Sequence, residues 1–328
     1  MTFPLNIYIA AFVGSFLTAF ISLPLWARWC ERTGLVDDPG HRKIHDRPIP
    51  LAGGLAVVTA LALPLLIATA VILFGNFPGG GDAQLHHGLG RRASQLGAIL
   101  LGALGMTTLG VLDDKFELRP LHKFLGQLLI ASLVAVAGVR ITLFVHSPVF
   151  SFAITVLWIL TLINAFNFMD NMNGLCAGLG FIAASVFGIL AASDGQYLVA
   201  TMALLIAGSL AGFLPHNFPN ARAFLGDAGS HLVGYLLAVL AILPHFHTPE
   251  SPRPLAVLTP LVVLALPLAD LVHVVIVRTL NRKPFYIGDN NHLSHRLTRL
   301  GLSKQASVML IWTMAAAAAA VAVWLNAG

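Results

Sequence analysis

Ten apolar stretches of about 17–25 residues recur along this 328-residue chain, and they decide what it can fold into. They cover roughly residues 3–26, 51–75, 95–112, 121–139, 147–163, 174–193, 196–214, 229–247, 255–279 and 305–325. At 1.5 Å rise per residue, such lengths match the ~30 Å hydrocarbon core of a bilayer. Lipid offers no partner to a bare peptide group, so each stretch must close its hydrogen bonds within itself, as a helix. Charged residues make up only 10% of the chain, where a soluble domain carries about a quarter. The expected fold is therefore all-α: a polytopic integral membrane protein with ten transmembrane helices, forming one domain over residues 1–328. The Gly-rich segment 75–90 reads as a flexible turn. Pro260 and Pro267 should kink or break the ninth helix.

The basic residues orient this bundle. If the loops alternate sides, one side holds fifteen of the nineteen Lys and Arg, and Arg91, Arg92, Arg140 and Arg253 fall on the other. The positive-inside rule makes the richer side cytoplasmic and puts both termini outside, in an inner (cytoplasmic) membrane protein of the multi-pass kind. The first stretch has no basic residue before it and Arg28 and Arg32 after it, the pattern of an N-out anchor and not of a cleaved signal peptide. Basic loops beside anionic lipid account for the net charge of +5, so no nucleic-acid partner is needed. Cys30 and Cys176 have no metal-ligand spacing and need not pair in a reducing compartment.

The acids are as one-sided as the bases. Of 14 Asp and Glu, ten fall in the cytoplasmic loops: Glu31, Asp37, Asp38, Asp46, Asp113, Asp114, Glu117, Asp170, Asp227 and Asp289. Carboxylates gathered at the rim of an apolar bundle point to a metal-dependent site. In the first loop, Arg42, Lys43 and His45 suit phosphate or carboxylate, and Gly53-Gly54 would let backbone amides approach an anion; a basic loop that only fixes topology reads equally from composition. Asp113 and Asp114 suit a magnesium diphosphate, or form a solvated turn balanced by Lys115 and Lys123. Asn164, Asn167, Asp170, Asn171 and Asn173 crowd ten residues, more amides than helix capping needs, and amides suit a base edge or sugar hydroxyls. Asp227, flanked by Gly226 and Gly229, either allows close approach of a ligand or caps the next helix. His292, His295 and Arg296 lie in the most basic loop, with donors fit for phosphate oxygens and no third ligand for zinc.

Together these five loops resemble the motifs of the polyprenyl-phosphate N-acetylhexosamine-1-phosphate transferase superfamily, in order, from about residue 37 to 301. Asp38-Pro39, Arg42-Lys43, His45, Pro48 and Gly53-Gly54 are similar to its amino-terminal motif, and Asp113-Asp114 to its paired aspartates. Asn164, Asn167 and Asp170 match an Asn-x-x-Asn-x-x-Asp motif; Asp227 lies in a Phe-x-Gly-Asp-x-Gly-Ser motif; His292, His295 and Arg296 match a His-rich last loop; Pro267, Asp270 and Arg278 fit its lead-in.

The resemblance implies ten spans, a site on the cytoplasmic face, and Mg²⁺ as cofactor with Mn²⁺ an admissible substitute. The implied reaction is transfer of a sugar 1-phosphate from a UDP-N-acetylhexosamine to undecaprenyl (polyprenyl) phosphate, with release of UMP. It implies catalytic roles for Asp113, Asp114 and Asp227, and metal ligation by Asp227 and Asp170. Substrate contacts fall to Arg42, Lys43, His45, Lys123, Asn164, Asn167, Asp170, Asn173, His292, His295 and Arg296. The expected partners are the UDP-sugar, the lipid phosphate and the bilayer, with a homodimer compatible.

Two departures stand out. The usual Asp-Gly-x-Asp-Gly is Asp170-Asn171-Met172-Asn173-Gly174, and the usual His-Leu-His-His-Arg-Leu is His292-Leu293-Ser294-His295-Arg296-Leu297. The second start, Pro-Leu-Ala-Gly-Gly, and the last loop resemble the UDP-GlcNAc branch, with the phospho-MurNAc-pentapeptide branch as alternative. A transporter of anionic metabolites is a rival of another class, but it would place ionisable groups near mid-membrane, and the two read as lying clearly inside a span, Asp270 and His273, are toward its cytoplasmic end.

Overall fold

The structure is a computed structural model, and it describes residues 3–38, 47–74, 82–142, 145, 147–244, 254–284 and 290–327. Among the described residues each apolar stretch carries a helix. In chain order the helices are α1 (Leu5–Thr33), α2 (Gly53–Phe74), α3 (Asp82–Phe116), α4 (Pro120–Val136), α5 (Pro148–Met169), α6 (Leu175–Ser193), α7 (Tyr197–Asn217) and α8 (Gly226–Leu240). After a 3₁₀ turn at Pro254–Leu258 come α9 (Thr259–Val263), α10 (Ala265–Leu280), α11 (Leu293–Arg299) and α12 (Lys304–Ala327).

Among the described residues, seven helices are long and apolar enough to cross a membrane: α1, α2, the Ser94–Phe116 part of α3, α5, α6, α7 and α12. An eighth crossing results if the bent pair Leu255–Val263 and Ala265–Leu280 counts as one. The expected ten are not reached by length, because α4 has 17 residues and α8 has 15. The reason lies in the surroundings of α8. It is buried from Ala228 to Leu240, enclosed chiefly by α3, α5, α2 and α6, so its apolarity answers to protein and its length is not set by lipid.

Other boundaries also moved. The helix of α3 begins at Asp82, inside the segment expected to be a turn; Ala, Gln and Leu there are good helix formers and each Gly costs only ~1 kcal/mol. The ninth stretch breaks at Leu264 with a 67° bend. Pro267 explains the position, since its ring excludes the carbonyl four residues earlier, at Val263, from the helical ladder.

Close approach to α8 depends on small residues. A side chain on Gly54 of α2 would meet Ala228 and the Gly229 amide of α8, and one on Gly110 of α3 would meet the same turn. On the outside, α4 exposes Leu121, Leu125, Leu129 and Leu133 at four-residue spacing, a stripe suited to lipid.

One end of the bundle is laced by its loops. Val36–Asp37 pairs antiparallel with Ile49–Pro50. Phe224 N donates to Pro50 O at 3.0 Å, and Gly53 N and Gly54 N donate to Phe224 O and Leu225 O at 2.9 and 3.1 Å. These amides therefore serve the chain itself, which corrects the expectation that they meet an anion. Lys115 Nζ caps the C-terminal carbonyls of α1, at 2.6 Å from Thr33 O and 3.1 Å from Gly34 O, where a cation also suits the helix dipole.

Candidate active site

The start of α8 is the hub of the laced end. Gly226 turns the chain with φ 71°, a region that L side chains rarely adopt, and delivers Asp227 into the first helical turn. The leading amides of α8 need partners, and carboxylates from other helices supply them. Asp114, at the end of α3, accepts from Asp227 N at 2.8 Å and Ala228 N at 3.1 Å. Asp170, just beyond α5, accepts from the Gly226 amide. Asp227 thus does not cap its own helix; its carboxylate is left for side chains.

Those side chains come from α4 and α5. Lys123 Nζ lies 2.9 Å from Asp227 Oδ2 and 2.6 Å from Asp113 Oδ2, bridging the two acids. Asn167 Nδ2 donates to Asp227 Oδ1 at 2.5 Å and to Ser230 Oγ at 3.0 Å. Asp113 Oδ1 accepts from Leu118 N at 2.9 Å, which holds its carboxylate at the α3–α4 turn. Four helix ends so converge on one carboxylate. The crowding shows in Asp170, whose carboxyl is pushed up to about 8 by burial first and then by the negative charges of Asp227 and Asp114.

The donor set fits a divalent cation. Ligand atoms of Asp113, Asp227 and His231 lie within 4.8 Å of one another. Carboxylate oxygens suit a hard cation that keeps waters for substrate phosphates. Asp170, expected as a ligand beside Asp227, is outside this group and turned to backbone. His231 was missed by the sequence reading, although its place four residues after Asp227 on a helix puts it on the same face.

The remaining expected residues are distributed around this hub. Asn164 lies deeper in the bundle, donating to Gln127 Oε1 at 3.0 Å and Leu160 O at 2.8 Å. Asn173 Nδ2 donates to Pro219 O at 3.1 Å, so it ties two loops. In the last loop His292 Nδ1 lies 2.7 Å from Asp270 Oδ2, and Leu293 N donates to Asp270 Oδ1 at 2.6 Å. Asp270 therefore orients His292 and starts α11. Arg278 is buried over the Phe168 ring at 4.9 Å, and His292 meets the same ring edge-on. Arg296 contacts His273 at 3.2 Å. Burial first, then the charges of His292, Arg299 and Lys304, hold the His295 imidazole below its usual range. Arg42, Lys43 and His45 lie outside the described residues.

Ser294 Oγ donates to Asn171 Oδ1 at 2.6 Å. These are two of the positions that depart from the family pattern, and they bond to each other.

The glycosyl transferase family 4 model matches residues 96–245, the segment that carries Asp113, Lys123, Asn167 and Asp227. A protein of Bacillus subtilis (strain 168) named "Probable undecaprenyl-phosphate N-acetylglucosaminyl 1-phosphate transferase" is 32% identical over 93% of this chain and 81% of its own length. A decaprenyl-phosphate N-acetylglucosaminephosphotransferase of Mycobacterium leprae (strain TN) is 31% identical over 92% of this chain and 78% of its own. An undecaprenyl-phosphate alpha-N-acetylglucosaminyl 1-phosphate transferase of Escherichia coli (strain K12) is 26% identical over 95% and 82%.

Proposed function

Given that the chain belongs to the polyprenyl-phosphate N-acetylhexosamine-1-phosphate transferase superfamily, we propose that it transfers N-acetylglucosamine 1-phosphate from UDP-GlcNAc to undecaprenyl phosphate and releases UMP. The observation that carries this reading is the convergence of Asp113, Lys123, Asn167 and Asp227 from four helices at one end of an apolar bundle. A water-soluble nucleotide and a lipid phosphate can meet only at such a rim. An oxygen of the lipid phosphate forms a bond to the β-phosphorus of the UDP-sugar. The bond from that phosphorus to the bridging oxygen breaks, and the bridging oxygen leaves with UMP.

Transition states of this kind are loose, so positioning and charge stabilisation supply most of the catalysis. Mg²⁺, or Mn²⁺ in its place, would be held by Asp113 and Asp227 and would neutralise diphosphate charge. The chain's own residues do the rest. Lys123 and Asn167 fix both oxygens of Asp227. Asp114, with both oxygens on α8 amides, positions Asp227. Asp113, in contact with Lys123, can accept a proton from the lipid phosphate, though the second phosphate pKa near 6 leaves little to remove. His292, oriented by Asp270, and the nearby His295 and Arg296 contact the sugar phosphate. The excess of Lys and Arg on this end supports a cytoplasmic-facing site in an inner membrane.

The test is UMP release by purified protein given UDP-GlcNAc, undecaprenyl phosphate and Mg²⁺. Asp227→Asn should abolish it while the variant remains folded. Mg²⁺-dependent turnover retained by that variant would sink the assignment.

A further inference from the structure

His231 is absent from the motifs that place this chain in its family, yet it sits one helical turn below Asp227 with no exposure at all. Histidine in such a place should be satisfied by hydrogen bonds. It is not. Its Nδ1 is buried without a partner, and its Nε2 has only the Gln127 amide at 3.5 Å, the outer limit of a hydrogen bond. Gln127 is itself committed, since its Oε1 accepts from Asn164. One ring nitrogen of His231 lies within 4.8 Å of carboxylate oxygens of both Asp113 and Asp227. The gap between those acids already takes a cation, for the Lys123 ammonium bridges it at 2.6 and 2.9 Å.

We propose that His231 is a third protein ligand of the metal site, and that it shifts the site's preference from Mg²⁺ towards a borderline divalent transition-metal ion such as Mn²⁺. The inference rests on the reading above that Asp227 holds the metal. Spacing of i and i+4 puts both donors on one helix face, the arrangement by which two helical side chains share one ion. A set of two carboxylates alone suits Mg²⁺, which dehydrates reluctantly and favours oxygen. Adding an imidazole gives a mixed oxygen and nitrogen set, which transition metals accept far more readily. The buried, uncommitted nitrogen would gain the partner it lacks, and the tautomer would be set by which nitrogen takes the ion.

The experiment uses the full-length protein in detergent with Mn²⁺ as the probe. Binding is measured by electron paramagnetic resonance, and pulsed measurements read nitrogen coupling to the bound ion. The expected result is a directly coordinated ¹⁴N signal that becomes a ¹⁵N signal when histidine is ¹⁵N-labelled. His231→Gln should remove the signal and weaken Mn²⁺ about tenfold or more, while His292→Gln keeps it. The variant should also let Mg²⁺ displace Mn²⁺ at lower concentration. Bound Mn²⁺ with no nitrogen coupling in the wild type would overturn the proposal without needing any variant to fold. Asp227→Asn separates the two readings: loss of Mn²⁺ binding supports the Asp227 assignment whatever His231 does, and retention of the ion with its nitrogen signal overturns that assignment instead.

Discussion

At the scale of single residues, the site is an arrangement of charges that only partly neutralise one another. Lys123, 20% exposed, serves Asp113 at 8% and Asp227 at 31%. Replacing it with Met leaves two facing carboxylates without their cation. For fully buried pairs such a loss costs about 3–5 kcal/mol, and the partial exposure of Asp227 brings the expected cost to roughly 1–3 kcal/mol. Lys123→Met should therefore melt several degrees below wild type and release UMP at least ~100-fold more slowly. Added Mg²⁺ should raise the melting temperature of the variant more than that of the wild type, because the ion takes over the charge of the lost ammonium. Wild-type UMP release by Lys123→Met would rule out a part for it in the reaction. Asp113, Lys123, Asn167 and Asp227 were all legible in the sequence as polar residues stranded at the edges of apolar stretches. Three contacts were not. His231 lies inside an apolar run, where a lone histidine gives no contrast until the i, i+4 relation to Asp227 is drawn. Gln127 and the Asn171–Ser294 bond join residues 104 and 123 positions away from their partners, a separation that no local pattern encodes.

At the scale of elements, apolar composition located the long apolar helices but neither the polar α11 nor the early start of α3, and it could not say what each helix is buried against. A stretch such as 229–247 is equally apolar whether lipid or protein surrounds it, so the short, enclosed α8 looked like a span. The start of α8 is where element geometry and chemistry meet. At Gly226 an added Cβ would lie 2.7 Å from Asp114 Oδ2, on a residue whose φ is already +71°. Gly226→Ala should pay ~1 kcal/mol or more for the left-handed backbone and also push Asp114 off the amides of Asp227 and Ala228. Gly195 is the control, with φ +67° and nothing within 4 Å of an added Cβ. Both alanine variants should melt a few degrees lower. Only Gly226→Ala should lose UMP release, by about tenfold or more, because only there does the strain reach Asp227. Equal activity in the two variants would show that Asp114 does not need its present place.

At the scale of the whole molecule, the question is how the helices alternate across the bilayer. The hydrogen bonds that join Pro50 to Phe224, Asp114 to Ala228, Asn173 to Pro219 and Asn171 to Ser294 gather the loops expected on the cytoplasmic side at one end. That end carries the candidate site and the basic excess, so both should face the cytoplasm. Membrane crossing is a property of helix ends relative to lipid, which neither the short α4 nor the enclosed α8 reveals by length. Chemical labelling does reveal it. Cys30 and Cys176 are buried and free, so replacing both with Ala gives a background on which single cysteines can be placed. Arg119, before α4, and Asp194, after α6, are both exposed. If every helical stretch from the fourth to the sixth crosses, Arg119 and Asp194 lie on opposite sides. An impermeant maleimide should then label Asp194→Cys in intact spheroplasts and Arg119→Cys only in inverted vesicles. Labelling of both from the same side would mean that one of α4, α5 and α6 does not traverse. The short α4 would be the first candidate, and the ten-crossing topology with outside termini would fall with it.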